Sequence, residues 1–401
     1  MFLYDSDSSI SREDFREEEE GAGASYLRED GVKADRVEGD RVHKDRANTD
    51  ERDEENKGGS VNTNKKHVVN RHGRFFNDVY LVKREYINSN MLLFMFVRKL
   101  SAQLQLKSEL ELNEVPSRVK DDIDAIKTWM KQHPHLKART EDQWILSFLR
   151  GCKFSLERTK NKLIKYYGMR LVEPEFFAER DPFNPELQKL LKTGFCLPLR
   201  KLTDSAAPRI LLLQNRGSEE VSVINMIRIM FMIFDILFNE DDNFCVAGQI
   251  ILQDFKCVTL HHALEITPTR AQNLMNCLQH AYPTRPKKFH FINTPTFFPT
   301  LYSLVKHFMT DKIKSRINLY PDGNMDDLYK SIPKSVLPKE YGGEAGPIQD
   351  LIDYWKHQVE NYQEWFLQDQ EYICTSSIQF QDGNNMCNDG VVGSFRKLAI
   401  D

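Results

Sequence analysis

Between Arg285 and Arg316 the chain carries seven Lys and Arg against one acid, Asp311, with Phe289, Phe291, Phe298, Leu301 and Val305 among the large apolar residues set between them. The last part, TDKIKSRI (310–317), reads as a short helix. It would put Lys312 and Arg316 four residues apart on one edge, with Lys314 nearby and Ile313 and Ile317 on another face. Like charges at that spacing cost roughly 0.2–0.5 kcal/mol. Only Asp311, in the first turn behind a Thr310 cap, offsets them. The chemistry such a combination can do is capture. An apolar cavity gains roughly 0.8 kcal/mol per buried CH₂ of a hydrophobic guest, and a cationic rim gains about 1 kcal/mol per charge at an anionic membrane. The same run also reads as an ordinary core strand and helix with a solvated charged face.

Signatures of covalent chemistry are missing. The sequence holds no GxGxxG, no Walker loop, no GxSxG and no HExxH. His261 and His262 are adjacent and point in different directions on either a helix or a strand, which does not suit a shared ligand role. Asp254 ends a strand, where carboxylates in α/β folds often do chemistry. Nothing supplies it with a nucleophile or metal partner, so a structural hydrogen-bonding role is expected. The chain is expected not to be an enzyme, and no metal or cofactor is implied.

These residues need elements to hold them. Residues 95–180 read as helices throughout. Val119, Ile123, Ile126, Trp129 and Met130 form a helical stripe that Pro134 ends. Thr140 and Gln143 suggest a capping box for the next helix, which Gly151 stops. Ser155 caps a third, with Leu156, Leu163, Tyr166 and Tyr167 as its stripe. Residues 185–350 alternate instead. RILLLQN (209–215), GQIILQDF (248–255) and KKFHFIN (287–293) are strand-length apolar runs, separated by helical stretches at 221–240 and in TPTRAQNLMNCLQHAY. That alternation predicts an α/β layer with a largely parallel sheet. YPDGNMDDLYKSIPKSVLPKEYGG reads as loop and turn. Residues 351–401 read as a C-terminal helix and a polar tail.

Charge divides the 401 residues unevenly. Residues 1–60 hold 19 acids and 10 bases, a net of −9, whereas the rest holds 40 and 45. Residues 1–75 have too few apolar side chains to offset the entropy of ordering and read as a disordered tail of mixed charge. No signal peptide or spanning segment is expected. MLLFMFV (91–97) is too short, and Asn225, Arg228 and Asp235 interrupt VSVINMIRIMFMIFDILF, each charge costing at least ~2.5 kcal/mol at mid-bilayer. Seven scattered Cys without a CxxC pair read as reduced thiols of a cytosolic chain.

Several stretches carry a resemblance. EDQWILSFLRGCKFSLERTKNKLIKYYGMR, GQIILQDF, AYPTRPKKFHFINTPTFF, KHFMTDKIKSRI and LPKEYGG occur in the order and spacing of the CRAL-TRIO lipid-transfer family. Over about residues 95–350 the chain resembles its tocopherol- and retinaldehyde-carrying branch. The resemblance implies a helical N-terminal domain on an α/β lipid-binding domain with a mobile gate helix. It implies a cytosolic carrier that moves one small hydrophobic ligand, such as a tocopherol, retinoid or other terpenoid, between membranes without a chemical step. In the tocopherol-transfer branch, basic residues bind phosphoinositide head groups. By motif match those positions are Lys153, Arg285, Lys287, Lys312 and Arg316, with Arg at 285 in place of Lys and Lys at 153 and 287 in place of Arg.

The same matching puts Gln249, Ile251 and Gln253 toward the ligand, since alternate strand residues share a face. It adds Phe231, Phe234, Ile266, Leu278, Tyr282, Phe289, Phe291, Phe298, Leu301 and Val305 to the pocket. Two glutamines there suggest a ligand with a hydroxyl or carbonyl, because buried amides need partners. Expected partners are that ligand and phosphoinositide-containing membranes, with no nucleic acid. The alternative is a regulatory scaffold that binds phosphoinositides or a protein without net lipid transfer.

Overall fold

The computed structural model describes residues 97–216, 221–320 and 325–376. The acidic tail and the end of the chain lie outside them, as does Cys387.

Helices α1 (Ala102–Leu112), α2 (Val119–Lys131), α3 (Asp142–Gly151), α4 (Leu156–Val172) and α5 (Pro185–Thr193) come first, with a two-residue strand β1 (Leu136–Lys137) between α2 and α3. Burial of Ile123, Ile126 and Met130 on α2, and of Leu163, Tyr166 and Tyr167 on α4, follows the apolar stripes. Ser155 caps α4, accepting from the Arg158 amide. The capping box expected at Thr140 does not form. Glu141 occupies that position without a side-chain cap, and the Gln143 side chain is buried, its Oε1 accepting from the Arg98 amide at 3.1 Å.

Then follow β2 (Cys196–Pro198), β3 (Arg209–Leu213), α6 (Val223–Glu240), α7 (Asp242–Val246), β4 (Gln249–Asp254), α8 (Leu260–Glu265) and α9 (Pro268–Asn276). A π-helical turn at Cys277–Ala281 continues α9. Next come β5 (Pro286–Ile292), α10 (Phe298–His307), α11 (Asp311–Lys314) and β6 (Ile317–Tyr320). The chain ends, as described, with α12 (Met325–Ser331), α13 (Ile348–Asn361), α14 (Gln363–Asp369) and β7 (Ile373–Cys374).

The sheet runs β2-β3-β4-β5-β6, with β2 antiparallel to β3 and every other pair parallel. The mixed α/β reading with a largely parallel sheet holds. Two local readings do not. TDKIKSRI is a four-residue helix and then a strand, because Ile317–Tyr320 finds a parallel partner in β5 that a local helix cannot match. Residues 325–331, read as loop, form α12, which buries Leu328.

α6 is the central buried helix and packs against α3, α5 and α13. No helix among the described residues is long and apolar enough to cross a membrane. All six described cysteines are free thiols. A charged cluster lies inside the body. Asp369 of α14 accepts from Arg139 Nε at 3.1 Å, Arg170 Nη2 at 2.5 Å and Arg180 Nη1 at 2.9 Å. Arg180 also pairs with Asp235 of α6, whose other oxygen accepts from the Tyr166 hydroxyl at 2.9 Å. Burial opposes ionisation of Asp369, but Arg170, Arg180 and Arg139 together hold its carboxyl below the usual range. Residues 363–376 are thus built into the helical part, and β7 pairs with β1.

Candidate functional site: a basic patch beside a half-open apolar face

Two backbone arrangements assemble the patch. The first is the parallel register of β5 with β6, in which the Phe289 amide donates to the Arg316 carbonyl at 2.9 Å and an Arg316 guanidinium nitrogen donates to the Pro286 carbonyl. This draws Lys312 and Arg316 to Arg285 and Lys287. The second is the turn after α3. Gly151 lies against Pro283, and Lys153 and Phe154 both adopt left-handed backbone, φ 54° and 53°. Phe154 is buried while Lys153 stays exposed, so the turn packs the phenyl ring inward and leaves the cation at the surface.

The five sequence-proposed cations are therefore brought together. The Lys312 ammonium sits lower in pKa than an ordinary lysine, through partial burial first and then the charges of Arg316, Lys153, Arg285 and Lys287. A field in which one lysine senses four like charges is what an anionic ligand would relieve. Arg285 is held by three contacts: its guanidinium donates to the Val246 carbonyl at 2.5 Å and pairs with Glu111 at 3.2 Å, and its amide donates to Gln249 Oε1 at 2.7 Å. Lys287 Nζ meets the same Glu111 oxygen at 3.0 Å. Glu111 was not legible as a site residue, because Arg285 and Lys287 lie 174 and 176 residues further along the chain.

The pocket residues separate into groups. Phe231, Phe234 and Tyr282 lie in a close-packed aromatic core, with Phe231 stacked on Tyr282 at 4.6 Å between ring centroids. Gln249 is buried too, and its amide is engaged by the backbone: Nε2 donates to the Phe244 carbonyl at 2.7 Å, and Oε1 accepts from Arg285. It therefore needs no ligand to satisfy it. Ile251 and Gln253 share a face with Phe289 and Phe291 through the β4–β5 register. Gln253, Phe289 and Phe291 are half-buried there, as are Ile266, Leu278, Leu301 and Val305. Phe298 at the start of α10 packs on Phe291 (6.0 Å) and Phe255 (4.9 Å), which fastens one end of α10 to this strip.

A separate cavity of about 490 Å³ opens where β3, β4 and β5 end, lined by Gln214, Arg216, Asp254, Lys256, Asn293 and Tyr341 among others. None of the thirteen proposed pocket residues lines it. Asp254 is spent on structure there, accepting from the Tyr341 hydroxyl, Asn293 Nδ2 and the Lys256 amide, each at 2.9 Å. His262 is likewise structural: it closes a capping box with Thr259 at the start of α8, while His261 faces solvent beside Glu265.

Residues 194–343 match the CRAL/TRIO domain and residues 115–187 the Pinta-like UBA domain. An alpha-tocopherol transfer protein-like protein of Mus musculus is 30% identical over 256 residues, which is 63% of this chain and 73% of that one. The chain belongs to the CRAL/TRIO family. Clavesin-1 of Xenopus laevis is 30% identical over 244 residues, 60% of this chain and 73% of its own. Human Clavesin-2 is 29% identical over 251 residues, 62% and 76% respectively. Of solved structures, that of Sfh5 overlays loosely, with a TM-score of 0.40 at 16% identity over 69% of this chain and 99% of that one. As a CRAL/TRIO protein the chain is a lipid-binding and lipid-transfer protein. The helical part that carries Lys153 falls within the UBA match, and the other four cations within the CRAL/TRIO match.

Proposed function

We propose that this chain is a cytosolic carrier that holds one small hydrophobic ligand, of tocopherol, retinoid or terpenoid type, and moves it between membranes without a chemical step. The ligand site is the half-buried strip of Phe289, Phe291 and Gln253 with Ile266, Leu278, Leu301 and Val305. Lys153, Arg285, Lys287, Lys312 and Arg316 receive phosphoinositide head groups at the membrane. The observation that carries this reading is the convergence of five cations from three separate segments, the turn at 153, 285–287 and 312–316, enough that Lys312 responds to the other four. Such mutual repulsion lowers stability unless an anion repays it. The alpha-tocopherol transfer protein-like relative supports the ligand class by its name.

The test is vesicle flotation with phosphatidylinositol bisphosphate, together with ligand transfer between two vesicle populations. Lys312→Ala/Arg316→Ala removes two cations at about 1 kcal/mol each, so affinity is expected to fall more than tenfold with the fold retained. Unaltered vesicle binding in that variant would refute the head-group role. Absence of ligand transfer by the purified chain would refute the carrier role.

A further inference from the structure

The basic patch comes with an anion of its own. Among the described residues, no carboxylate pairs with Lys153, Lys312 or Arg316. Arg285 and Lys287 differ: both close on the Glu111 carboxylate, at 3.2 and 3.0 Å, and Lys107 approaches it at 3.8 Å. Glu111 stands in the last turn of α1, just before Asn113 ends the helix in a left-handed conformation. A carboxylate there opposes the helix dipole, and within α1 its pair with Lys107, four residues earlier, offsets that only in part. Burial works against its charge, but the hydrogen bond and charge of Lys287, with Lys107 and Arg285, hold its pKa below the usual carboxylate range. Glu111 is ionised at neutral pH, and its side chain is 39% exposed, so it can swing out to solvent.

The patch therefore has two halves, one whose cations have no carboxylate partner among the described residues and one whose two cations already share a single internal carboxylate. We propose that Glu111 is a specificity-determining residue, an internal stand-in for phosphate that a head group must displace to reach Arg285 and Lys287. A single monoester phosphate can use Lys153, Lys312 and Arg316 and leave Glu111 in place. A second phosphate must evict it. A phosphate monoester carries about −1.5 to −2 charges and three acceptor oxygens at neutral pH, so eviction is feasible, but it cancels part of the gain. Glu111 thus weakens binding of doubly phosphorylated head groups more than singly phosphorylated ones, which keeps membrane docking reversible. This inference rests on the head-group reading of the patch.

The experiment uses the full chain and phosphatidylcholine vesicles containing a few per cent of either phosphatidylinositol monophosphate or bisphosphate. Glu111→Gln is expected to raise affinity for bisphosphate vesicles about five- to tenfold, the release of two partly exposed ion pairs, and for monophosphate vesicles less than about twofold. Glu109→Gln, on the same helix but outside the patch, makes the same change in net charge and is expected to leave both affinities nearly unchanged. Equal gains on the two vesicles, or a gain from Glu109→Gln as large as that from Glu111→Gln, would overturn the proposal. If Glu111→Gln does not fold, Glu111→Asp, which draws the charge back from Lys287, is read in the same assay, and an unchanged affinity ratio overturns it. Lys312→Ala/Arg316→Ala runs in parallel. Unaltered binding there removes the head-group site itself, whereas a loss there with a null result at Glu111 removes only the role of Glu111.

Discussion

Gly151 lies so close to Pro283 that a Cβ on it would meet the Pro283 carbonyl oxygen at 2.4 Å and its Cβ at 2.5 Å. The contact joins the end of α3 to the loop that leads into β5, and so fixes how far Lys153 stands from Arg285 and Lys287. Backbone on the far side cannot yield as a flexible side chain would. Gly151→Ala is therefore expected to destabilise the chain by ~1–3 kcal/mol. It should also weaken bisphosphate vesicle binding, because the Lys153 turn must shift outward. Thermal melts and flotation together check this, and a variant normal in both would show that the contact is slack.

Lys153 allows charge and backbone to be separated. At φ 54° it holds a left-handed conformation that costs an ordinary residue roughly 1–2 kcal/mol. Lys153→Gly removes that strain together with the cation. The expected outcome is a split result: stability unchanged or higher by up to ~1 kcal/mol, with vesicle affinity lower by about fivefold, the share of one cation near an anionic surface. Affinity that stays level would place Lys153 outside the patch in function, whatever its position.

Asp369→Asn keeps the shape of the side chain and removes the charge that three buried guanidinium groups share. Breaking a buried ion pair by neutralising one partner costs about 3–5 kcal/mol. A drop in melting temperature of many degrees is expected, with β7 and α14 losing protection in hydrogen exchange before the central sheet does. A melting temperature within a degree or two of the parent would mean that water already reaches the cluster.

Asp369 also shows where sequence reading stops. Its partners Arg139, Arg170 and Arg180 lie 189 to 230 residues away, and no local periodicity encodes such a distance. Glu111 is invisible for the same reason. What was legible rests on short range: the stripe of α2, the Ser155 cap, three of the strands, and the run of cations from Arg285 to Arg316. TDKIKSRI failed at intermediate range. Ile313 and Ile317 fit helical spacing and Ile317 and Leu319 fit strand alternation, so only pairing with β5 decides between them. Strand parity placed Gln249 on a ligand face, but the register shift beside it in the β4–β5 ladder and the carbonyl of Phe244 draw its amide into the framework.

His290 gives the last prediction, a pH dependence of stability. It lies in the middle of β5, fully buried, with Nδ1 3.0 Å from the Tyr320 hydroxyl of β6 and no partner for Nε2 among the described residues. Burial, and then the neighbouring charge of Lys288, push its pKa down from 6.5 to about 4. The folded chain therefore refuses a proton that the unfolded chain accepts. Stability is full above about pH 6.5 and falls as pH drops toward 4, by at most ~1.4 kcal/mol per pH unit from this one residue. His290→Gln cannot titrate, yet its amide can still meet the Tyr320 hydroxyl. Between pH 6.5 and 5, where most carboxylates remain ionised, the melting temperature of the parent is expected to fall faster than that of the variant. Parallel pH profiles for the two proteins would show that the imidazole gains its proton without unfolding, and that water reaches the strand it sits on.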